Sequence, residues 1–293
     1  KPDFDWCYSA EPDPSVGGRP DVWPAGKRLG GGSAINGMMF IRGHRWDYDH
    51  WAELGATGWD YASVLPYFRR MEHNERGSDE WRGQGGPIHV SEVRSRYAIT
   101  DEWIEAAQQA GIPRSTDLNG EVAEGVDYIQ LSQRQGLRCS TAHGYLCNKP
   151  ANLELLLEAQ VLRIDVADGR TTGVTIRQGG ETHSLTARHG VVLSAGALNT
   201  PRLLMLSGIG PAEHLKDHGI AVVRDLPSVG RNLQEHPGCH LVNAVSAHTL
   251  NNEARGFAGF KQLLAFAFAR SGALTTGIGH AQAGGADDEA AVA

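Results

Sequence analysis

The stretch GKRLGGGSAINGMMFIRG, residues 26–43, contains three consecutive glycines, Gly30 to Gly32. Every glycine adds backbone freedom that folding must remove, so a run of three needs a physical reason. A flexible linker is the bland alternative, but the flanks, Trp23-Pro24 and the MMF sequence at 38–40, are apolar and stiff, unlike a Gly/Ser linker. The stretch therefore predicts backbone that approaches a ligand too closely for side chains.

The composition limits which classes of protein this chain can belong to. The 293 residues suffice for one large domain or two ordinary ones, and 41% are apolar against 21% charged, which predicts a globular chain with a sizeable core. The formal charge of -7 argues against a nucleic-acid partner. The longest apolar stretch, around 191–206, is broken by Asn199, Pro201 and Arg202, so we predict no transmembrane segment.

The cysteines and the first residues of the chain give information about the cellular compartment. Cys7, Cys139, Cys147 and Cys239 are far apart and form no Cys-x-x-Cys pair, which favours buried free thiols in a reducing compartment. The first residues show no signal-peptide pattern and no initiator methionine. We therefore predict a cytoplasmic location.

The clearest architecture lies at 152–210. Residues 161–166, 173–177 and 184–187 alternate apolar and polar side chains and are separated by glycine turns, which predicts a three-stranded meander. The apolar run at 190–196 is typical of a strand buried on both faces of a parallel sheet. Asn199-Thr200-Pro201 could then cap and open a helix through Leu206. Strand, glycine and helix N-terminus in this order suit a cofactor at a sheet edge.

Other segments give weaker signals. Residues 1–50 are rich in Gly and Pro and are predicted to be extended segments and loops. Helices are predicted at 59–72, with Ser63 as a possible cap, and at 100–107, with a short strand at 88–90 between them. Gly208-Ile209-Gly210 is not a dinucleotide fingerprint, because it follows a helix and Glu213 stands where the last glycine belongs. We interpret it as a helix C-cap and turn.

At this point the chain resembles the glucose-methanol-choline (GMC) family of FAD-dependent oxidoreductases, and its choline-dehydrogenase-like branch in particular. Two long motifs carry the resemblance: residues 26–40, followed by Arg42-Gly43 and Asp47, and the sequence GALNTPRLLMLSGIG at 196–210. Three shorter segments, at 6–12, 136–142 and 226–237, agree with the family pattern in order and spacing. The resemblance extends across nearly the whole chain.

The resemblance implies an α/β (mixed α+β) fold of two domains. An incomplete Rossmann-like FAD-binding domain would contain residues 1–50 and 120–235. A discontinuous substrate domain, built on an antiparallel sheet, would contain 51–119 and 236–293.

The resemblance also implies the cofactor and its contacts. FAD would be bound noncovalently, because Ile35 stands where some relatives have the histidine that bonds to flavin. The glycine run would bring backbone N–H groups to the cofactor, Asn36 would present its amide, and the next residues would line the flavin. The implied cofactor-binding residues are Leu29, Gly30, Gly31, Asn36, Gly37, Met38, Met39, Val161, Ala195 and Gly196.

The chain also departs from the family pattern. It has neither the Gly-x-Gly-x-x-Gly unit that binds the ADP part of FAD nor a residue that matches the catalytic histidine. His236 and His280 are the only substitutes to consider, so we assign no catalytic residue; His236, Cys239 and His240 are too weak a pattern for a metal site. We expect this chain to be the middle of a GMC enzyme, inactive and without tightly held FAD on its own.

The reaction that the resemblance implies is oxidation of an alcohol to an aldehyde or ketone, by hydride transfer to FAD. The partners would be a small-molecule alcohol, of which choline is one candidate, and an electron acceptor, either oxygen or another. Two alternatives come from other classes. A noncatalytic remnant or binding module with a GMC-like fold stays open, whereas the missing dinucleotide fingerprint disfavours an NAD-dependent dehydrogenase.

Overall fold

A computed structural model describes residues 2–235, 238–253 and 256–284, which form two compact units. One unit comprises Lys1–Pro150 and Ala244–Ala293, and the other comprises Ala151–Asn243. The strands in chain order are β1 (Tyr8–Ser9), β2 (Val22–Trp23), β3 (Met39–Phe40), β4 (Glu72–Asn74), β5 (Ile88–Val90), β6 (Gly125–Tyr128), β7 (Gln130–Leu131), β8 (Gln133–Arg134), β9 (Leu137–Arg138), β10 (Gln160–Ala167), β11 (Arg170–Gln178), β12 (Glu181–Thr186), β13 (Ile209–Gly210), β14 (Arg224–Asp225) and β15 (Ala281–Gly284). The α-helices are α1 (Arg45–Glu53), α2 (Tyr61–Met71), α3 (Ala98–Gln109), α4 (Gly196–Leu206), α5 (Ala212–Asp217), α6 (Leu250–Glu253) and α7 (Gly256–Ala269). Short 3₁₀ turns occur at Pro14–Val16, Gly31–Ala34 and Ala273–Thr275, and a π-helical turn occurs at Ala142–Leu146.

The first unit is built around one antiparallel pair and the helix that covers it. β6 pairs with β15, so residues near the end of the described chain complete a sheet that begins more than a hundred residues earlier. Helix α3 packs on this pair, as its predicted apolar spacing requires. The shared core consists of Val93, Ile104, Val126, Tyr128, Ile129 and Leu131. The predicted helix at 100–107 and the predicted strand at 88–90 are confirmed.

The second unit contains the predicted meander. β10, β11 and β12 form an antiparallel sheet in that order, and Val161 lies opposite Ile176. Helix α4 packs on β10, and the N–H of Ile164 donates to the Ser207 Oγ at 2.8 Å. Ile164 and Leu203 are both buried. The mixed α/β fold with small antiparallel sheets is therefore confirmed.

The predicted strand at 190–196 is wrong. Residues 191–194 belong to no strand, no described strand pairs with them, and the Val192 side chain is 92% exposed. A strand buried on both faces depends on neighbouring strands and on layers above and below it, and an apolar run alone supplies neither. Helix α4 also begins at Gly196, three residues before the predicted cap, so Pro201 lies inside the helix.

Helix starts and short strands account for the other differences. The N-cap of α2 is Asp60, not Ser63, because the Asp60 carboxylate accepts from the Ser63 N–H at 3.0 Å. Helix α1 interrupts the predicted loops of residues 1–50; His44 and Asp47 form a capping box at its start. Ser207 and Gly208 end α4 as predicted, but Ile209–Gly210 then pairs in parallel with β14.

None of the helices in the described ranges is both long enough and apolar enough to cross a membrane. The two compact units are defined by contacts within this chain. The predicted FAD-binding and substrate domains, with boundaries at 50/51, 119/120 and 235/236, concern the complete enzyme and stay a prediction. His236 and the tail 286–293 lie outside the described residues.

Candidate functional site

The glycine run forms a tight corner with one open side. Gly30 and Gly31 have φ angles of 95° and 54°, in the left-handed region that strains other residues. A Cβ at Gly26 would collide with the Gly31 carbonyl, so the two backbone segments pack directly on each other. A Cβ at Gly31 or Gly32 would meet no atom of the described residues within 4 Å. The corner is therefore packed on one side and open on the other.

A second motif holds this corner in place. The Thr141 N–H donates to the Ser33 Oγ at 3.0 Å, and the Ser33 hydroxyl donates to the Gly30 carbonyl at 2.5 Å. The guanidinium of Arg138 donates to the Ser33 carbonyl at 3.1 Å and to the Asn36 Oδ1 at 2.7 Å. The segments 26–43 and 136–142 both match the family pattern in the sequence. They are about a hundred residues apart along the chain and are in contact in the structure.

Asn36 and Met38 shape the end of the corner. The Asn36 Oδ1 accepts from the Met38 N–H at 3.1 Å as well as from Arg138, while its Nδ2 has no partner in the described ranges. Met38 has a φ of 64°, which is uncommon for a residue with a side chain. Its carbonyl accepts from the Ser132 N–H at 2.8 Å, which holds the strained residue in place. The exposed Asn36 amide thus has two donor hydrogens that no described residue accepts.

The remaining predicted residues of the first unit are sequence neighbours of the glycine corner. Gly37 lies against Ile278, where a Cβ would collide, and its carbonyl accepts from the Ile278 N–H at 3.3 Å. Leu29 and Met39 are 45% and 38% exposed. Seven of the ten predicted residues thus belong to one stretch of the first unit: Leu29, Gly30, Gly31, Asn36, Gly37, Met38 and Met39. Their contact with a cofactor stays a prediction.

Val161, Ala195 and Gly196 lie in the second unit. Val161 is in β10 beside a bulge, and Ala195 immediately precedes α4. No side chain caps the start of α4, so its first N–H groups keep their donor capacity. Gly196 has a φ of 85°, and a Cβ there would meet nothing within 4 Å. This open helix start could accept an anionic group.

A buried ion pair was not anticipated from the sequence. The Arg42 Nη2 and the Glu72 Oε1 are 3.0 Å apart, and the two side chains are 4% and 0% exposed. Arg42 also donates to the Trp81 carbonyl at 2.7 Å, and Glu72 accepts from the Gly83 N–H at 2.7 Å. Burial raises the pKa of Glu72, an effect that the Arg42 charge opposes. The Arg42-Gly43 part of the long motif was the available signal, and its role here is structural.

His280 is half-buried and stacks on Tyr97, with ring centroids 5.3 Å apart. Burial lowers the pKa of His280, which favours the neutral ring. His236 lies outside the described residues. Within those residues, no group of three or more His, Cys, Asp or Glu is placed to hold a metal ion.

Similar proteins were found by sequence. The oxygen-dependent choline dehydrogenase of Brucella ovis is 46% identical over 237 residues, which cover 80% of this chain and 43% of that protein. The chain therefore spans less than half the length of the curated relatives that it matches.

Similar solved structures extend the comparison. A formate oxidase from Aspergillus oryzae, studied for the modification of its FAD, has a TM-score of 0.86 and 29% identity over 95% of this chain and 51% of its own. A fungal aryl-alcohol oxidase has a TM-score of 0.84 and 30% identity over 94% of this chain and 51% of its own. The family model for the GMC oxidoreductases matches residues 12–238. The chain belongs to the GMC oxidoreductase family.

Proposed function

We propose that the protein containing this chain oxidises an alcohol to an aldehyde or ketone with noncovalent FAD. The observation that carries the proposal is the glycine corner, whose packed side is fixed by Ser33, Thr141 and Arg138 and whose open side has no described atom within 4 Å of a Cβ built at Gly31 or Gly32. The names of the relatives, a choline dehydrogenase and an aryl-alcohol oxidase, support an alcohol as the substrate. Choline is one candidate among many.

The residues fit a flavin dinucleotide in three respects. Open backbone at Gly31 and Gly32 leaves room for a flat or extended ligand that a Cβ would obstruct. The Asn36 Nδ2 offers an unused donor to a ring carbonyl or a ribityl hydroxyl. In the second unit, the uncapped start of α4 at Ala195 and Gly196 suits a phosphate. Val161 would offer only its backbone.

Bound FAD supplies a two-electron acceptor for the hydride of the alcohol carbon. The residues of this chain bind and orient. Arg138 donates to the Asn36 Oδ1 and so fixes the orientation of the Asn36 amide, including its Nδ2 donor. Met39, which is 38% exposed, would supply apolar surface to a bound flavin, while Met38 packs against the core and shapes the backbone there. None of these residues is assigned as the base that accepts the hydroxyl proton of the alcohol.

Noncovalent attachment rests on Ile35. A hydrocarbon side chain at the position before Asn36 has no nucleophilic atom that could bond to flavin. The modified FAD of the formate oxidase makes this worth testing directly. We expect denaturation of the loaded protein to release all of the flavin into the supernatant, and a yellow pellet would contradict the proposal.

We also propose a cytoplasmic location, on the absence of a Cys-x-x-Cys pair and of a signal-peptide pattern. The interpretation of the cysteines as buried thiols holds for Cys139 and is wrong for Cys7, Cys147 and Cys239, which are exposed.

The proposal is tested by Gly31→Ala with Gly17→Ala as its matched control. Both glycines have left-handed φ angles, 54° and 73°, and neither would bring a Cβ within 4 Å of another atom. The backbone strain should therefore be similar in the two variants. We expect Gly31→Ala to raise the dissociation constant for FAD by about tenfold or more, and Gly17→Ala to leave it unchanged.

The measurement is quenching of FAD fluorescence as each variant of the whole enzyme that contains this chain is titrated, with thermal unfolding recorded beside it, because the chain alone is not expected to hold FAD tightly. Equal FAD affinities for the two variants would mean that the open side of the corner does not face the cofactor.

A further inference from the structure

The segment Gly277-Ile278-Gly279 packs on the backbone that we expect to line the flavin. The Ile278 N–H donates to the Gly37 carbonyl at 3.3 Å. A Cβ at Gly277 would lie 2.8 Å from that carbonyl oxygen and 2.7 Å from the Leu131 side chain, so only glycine lets the two backbones approach this closely. A segment from far along the chain therefore forms part of the candidate site.

A buried amide joins the same two parts of the chain. Gln133 is 1% exposed, and its Nε2 donates to the Thr275 carbonyl at 2.8 Å. The same nitrogen lies 3.6 Å from the Met38 Sδ, a weak acceptor. The Met38 carbonyl in turn accepts from the Ser132 N–H and from its hydroxyl. The turn that precedes Gly277 is thus anchored to the wall that holds the strained residue of the glycine corner.

Ile278 is the only residue of this three-residue segment with a side chain, and that side chain is 83% exposed. Single exposed hydrophobic residues are ordinary on protein surfaces, so exposure alone carries no argument. The position of Ile278 does. Its Cβ and Cγ2 cover the place that a side chain at Gly37 would occupy, directly after Asn36, and its backbone is fixed by the contacts above. The rest of the side chain is free to contact a ligand at the corner.

We infer that Ile278 contacts the substrate in the whole enzyme and selects an alcohol with an apolar substituent. This inference rests on the proposed function. A branched hydrocarbon side chain offers dispersion and burial of apolar surface but no hydrogen bond, so it favours a hydrocarbon group over a polar or charged one. Arg138, which is bonded to the Asn36 amide, is positively charged, so a quaternary ammonium group such as that of choline would meet a like charge there.

The test uses the whole enzyme with FAD bound, because this chain is not expected to hold FAD tightly on its own. The probes are ethanol and 1-hexanol, and kcat and KM are measured for each. We expect the parent enzyme to prefer 1-hexanol. Ile278→Ala should lower kcat/KM for 1-hexanol about tenfold, through KM, and for ethanol by less than about threefold. Ile278→Val should keep most of the preference.

A binding measurement separates substrate contact from chemistry. The tertiary alcohol 2-methyl-2-heptanol has no hydrogen on its hydroxyl carbon and so cannot give up a hydride. We expect Ile278→Ala to raise its dissociation constant, followed by flavin absorbance, about tenfold, with the dissociation constant of FAD and the unfolding temperature unchanged. The matched control is Leu54→Ala, which truncates a 73% exposed aliphatic residue of the same unit and should change none of these quantities.

The outcomes distinguish this inference from the proposed function. Equal losses for ethanol and 1-hexanol in Ile278→Ala, or a marked fall in its unfolding temperature, would mean that Ile278 packs on other parts of the enzyme. Either result would overturn this inference alone. A parent enzyme that binds FAD but oxidises no alcohol would overturn the proposed function and this inference with it.

Discussion

The two long motifs of the family resemblance, residues 26–43 and 196–210, are held in different ways. In the first, Ser33, Asn36 and Met38 bond to side chains and backbone about a hundred residues away, all within one unit. In the second, α4 is fixed at its C-terminal end by Ser207, while the segment before Ala195 belongs to no strand. The hydrogen bonds that close the corner lie within one unit of this chain, whereas a buried parallel strand requires neighbouring strands along its edges.

The largest expected effect concerns the ion pair that follows the glycine corner. Arg42→Ala leaves the Glu72 carboxylate buried without its counter-charge, since both side chains are at most 4% exposed. We expect the free energy of unfolding to fall by about 3–5 kcal/mol. Chemical denaturation followed by circular dichroism measures this loss.

The control is Arg163→Ala in the second unit. Its pair with Asp165 is equally short, at 2.9 Å, but the Arg163 side chain is 60% exposed. An exposed pair contributes about 0–1 kcal/mol. Similar losses in the two variants would show that the Arg42 pair is not buried in solution.

The sequence predicted what depends on local pattern. The alternation at 161–166 and the apolar spacing near Ile104 gave the meander and α3, because a strand or helix displays its own period. The glycine run predicted backbone that approaches a ligand, which stays a prediction, and the contacts that close the corner were not predicted. The Arg42–Glu72 pair could not be predicted, since it joins two polar residues 30 positions apart that each look like surface residues. The strand at 190–196 failed because its neighbours are not encoded in its own sequence.

Ser207→Ala tests how firmly the second motif is held. The Ser207 Oγ accepts from the Ile164 N–H and donates to the Leu203 carbonyl, and Ser207 is buried. Removing it leaves the Ile164 N–H without a partner, which should cost about 1–3 kcal/mol. Denaturation is compared with that of Ser184→Ala, an exposed serine on β12. If both variants match the parent protein, Ser207 does not join α4 to the sheet.

Arg138→Met tests the corresponding contact of the first motif. Methionine keeps much of the length but cannot donate to the Ser33 carbonyl or the Asn36 Oδ1. We expect a loss of about 1–2 kcal/mol, because Arg138 is only half-buried. The distinguishing readout is hydrogen exchange at the Met38 amide, which should accelerate as Asn36 loses its anchor. Unchanged exchange would mean that Asn36 is positioned without Arg138.

The pH dependence of stability should show the raised pKa of Glu72. Because burial raises this pKa above the ordinary value of 4.5, the stability that the protonated form provides is present below pH 4.5 and is lost as pH rises through the folded-state pKa. Glu72→Gln removes the titrating group. As the pH rises from 4, the parent protein should lose unfolding free energy relative to the Glu72→Gln variant, which does not titrate at this position. A shift in the opposite direction would mean that Arg42 outweighs burial.

The smallest expected effect decides whether the segment at 190–196 is buried in this chain. Val192 is 92% exposed, so Val192→Asp should change the free energy of unfolding by no more than about 0.5 kcal/mol. Ile176→Asp is the matched comparison on β11, where a 4% exposed side chain would be replaced by a buried charge. That variant should lose about 3 kcal/mol or more, since a carboxylate in an apolar core has no partner. A loss of similar size for Val192→Asp would restore the strand that the sequence predicted and would remove the contrast between the two motifs.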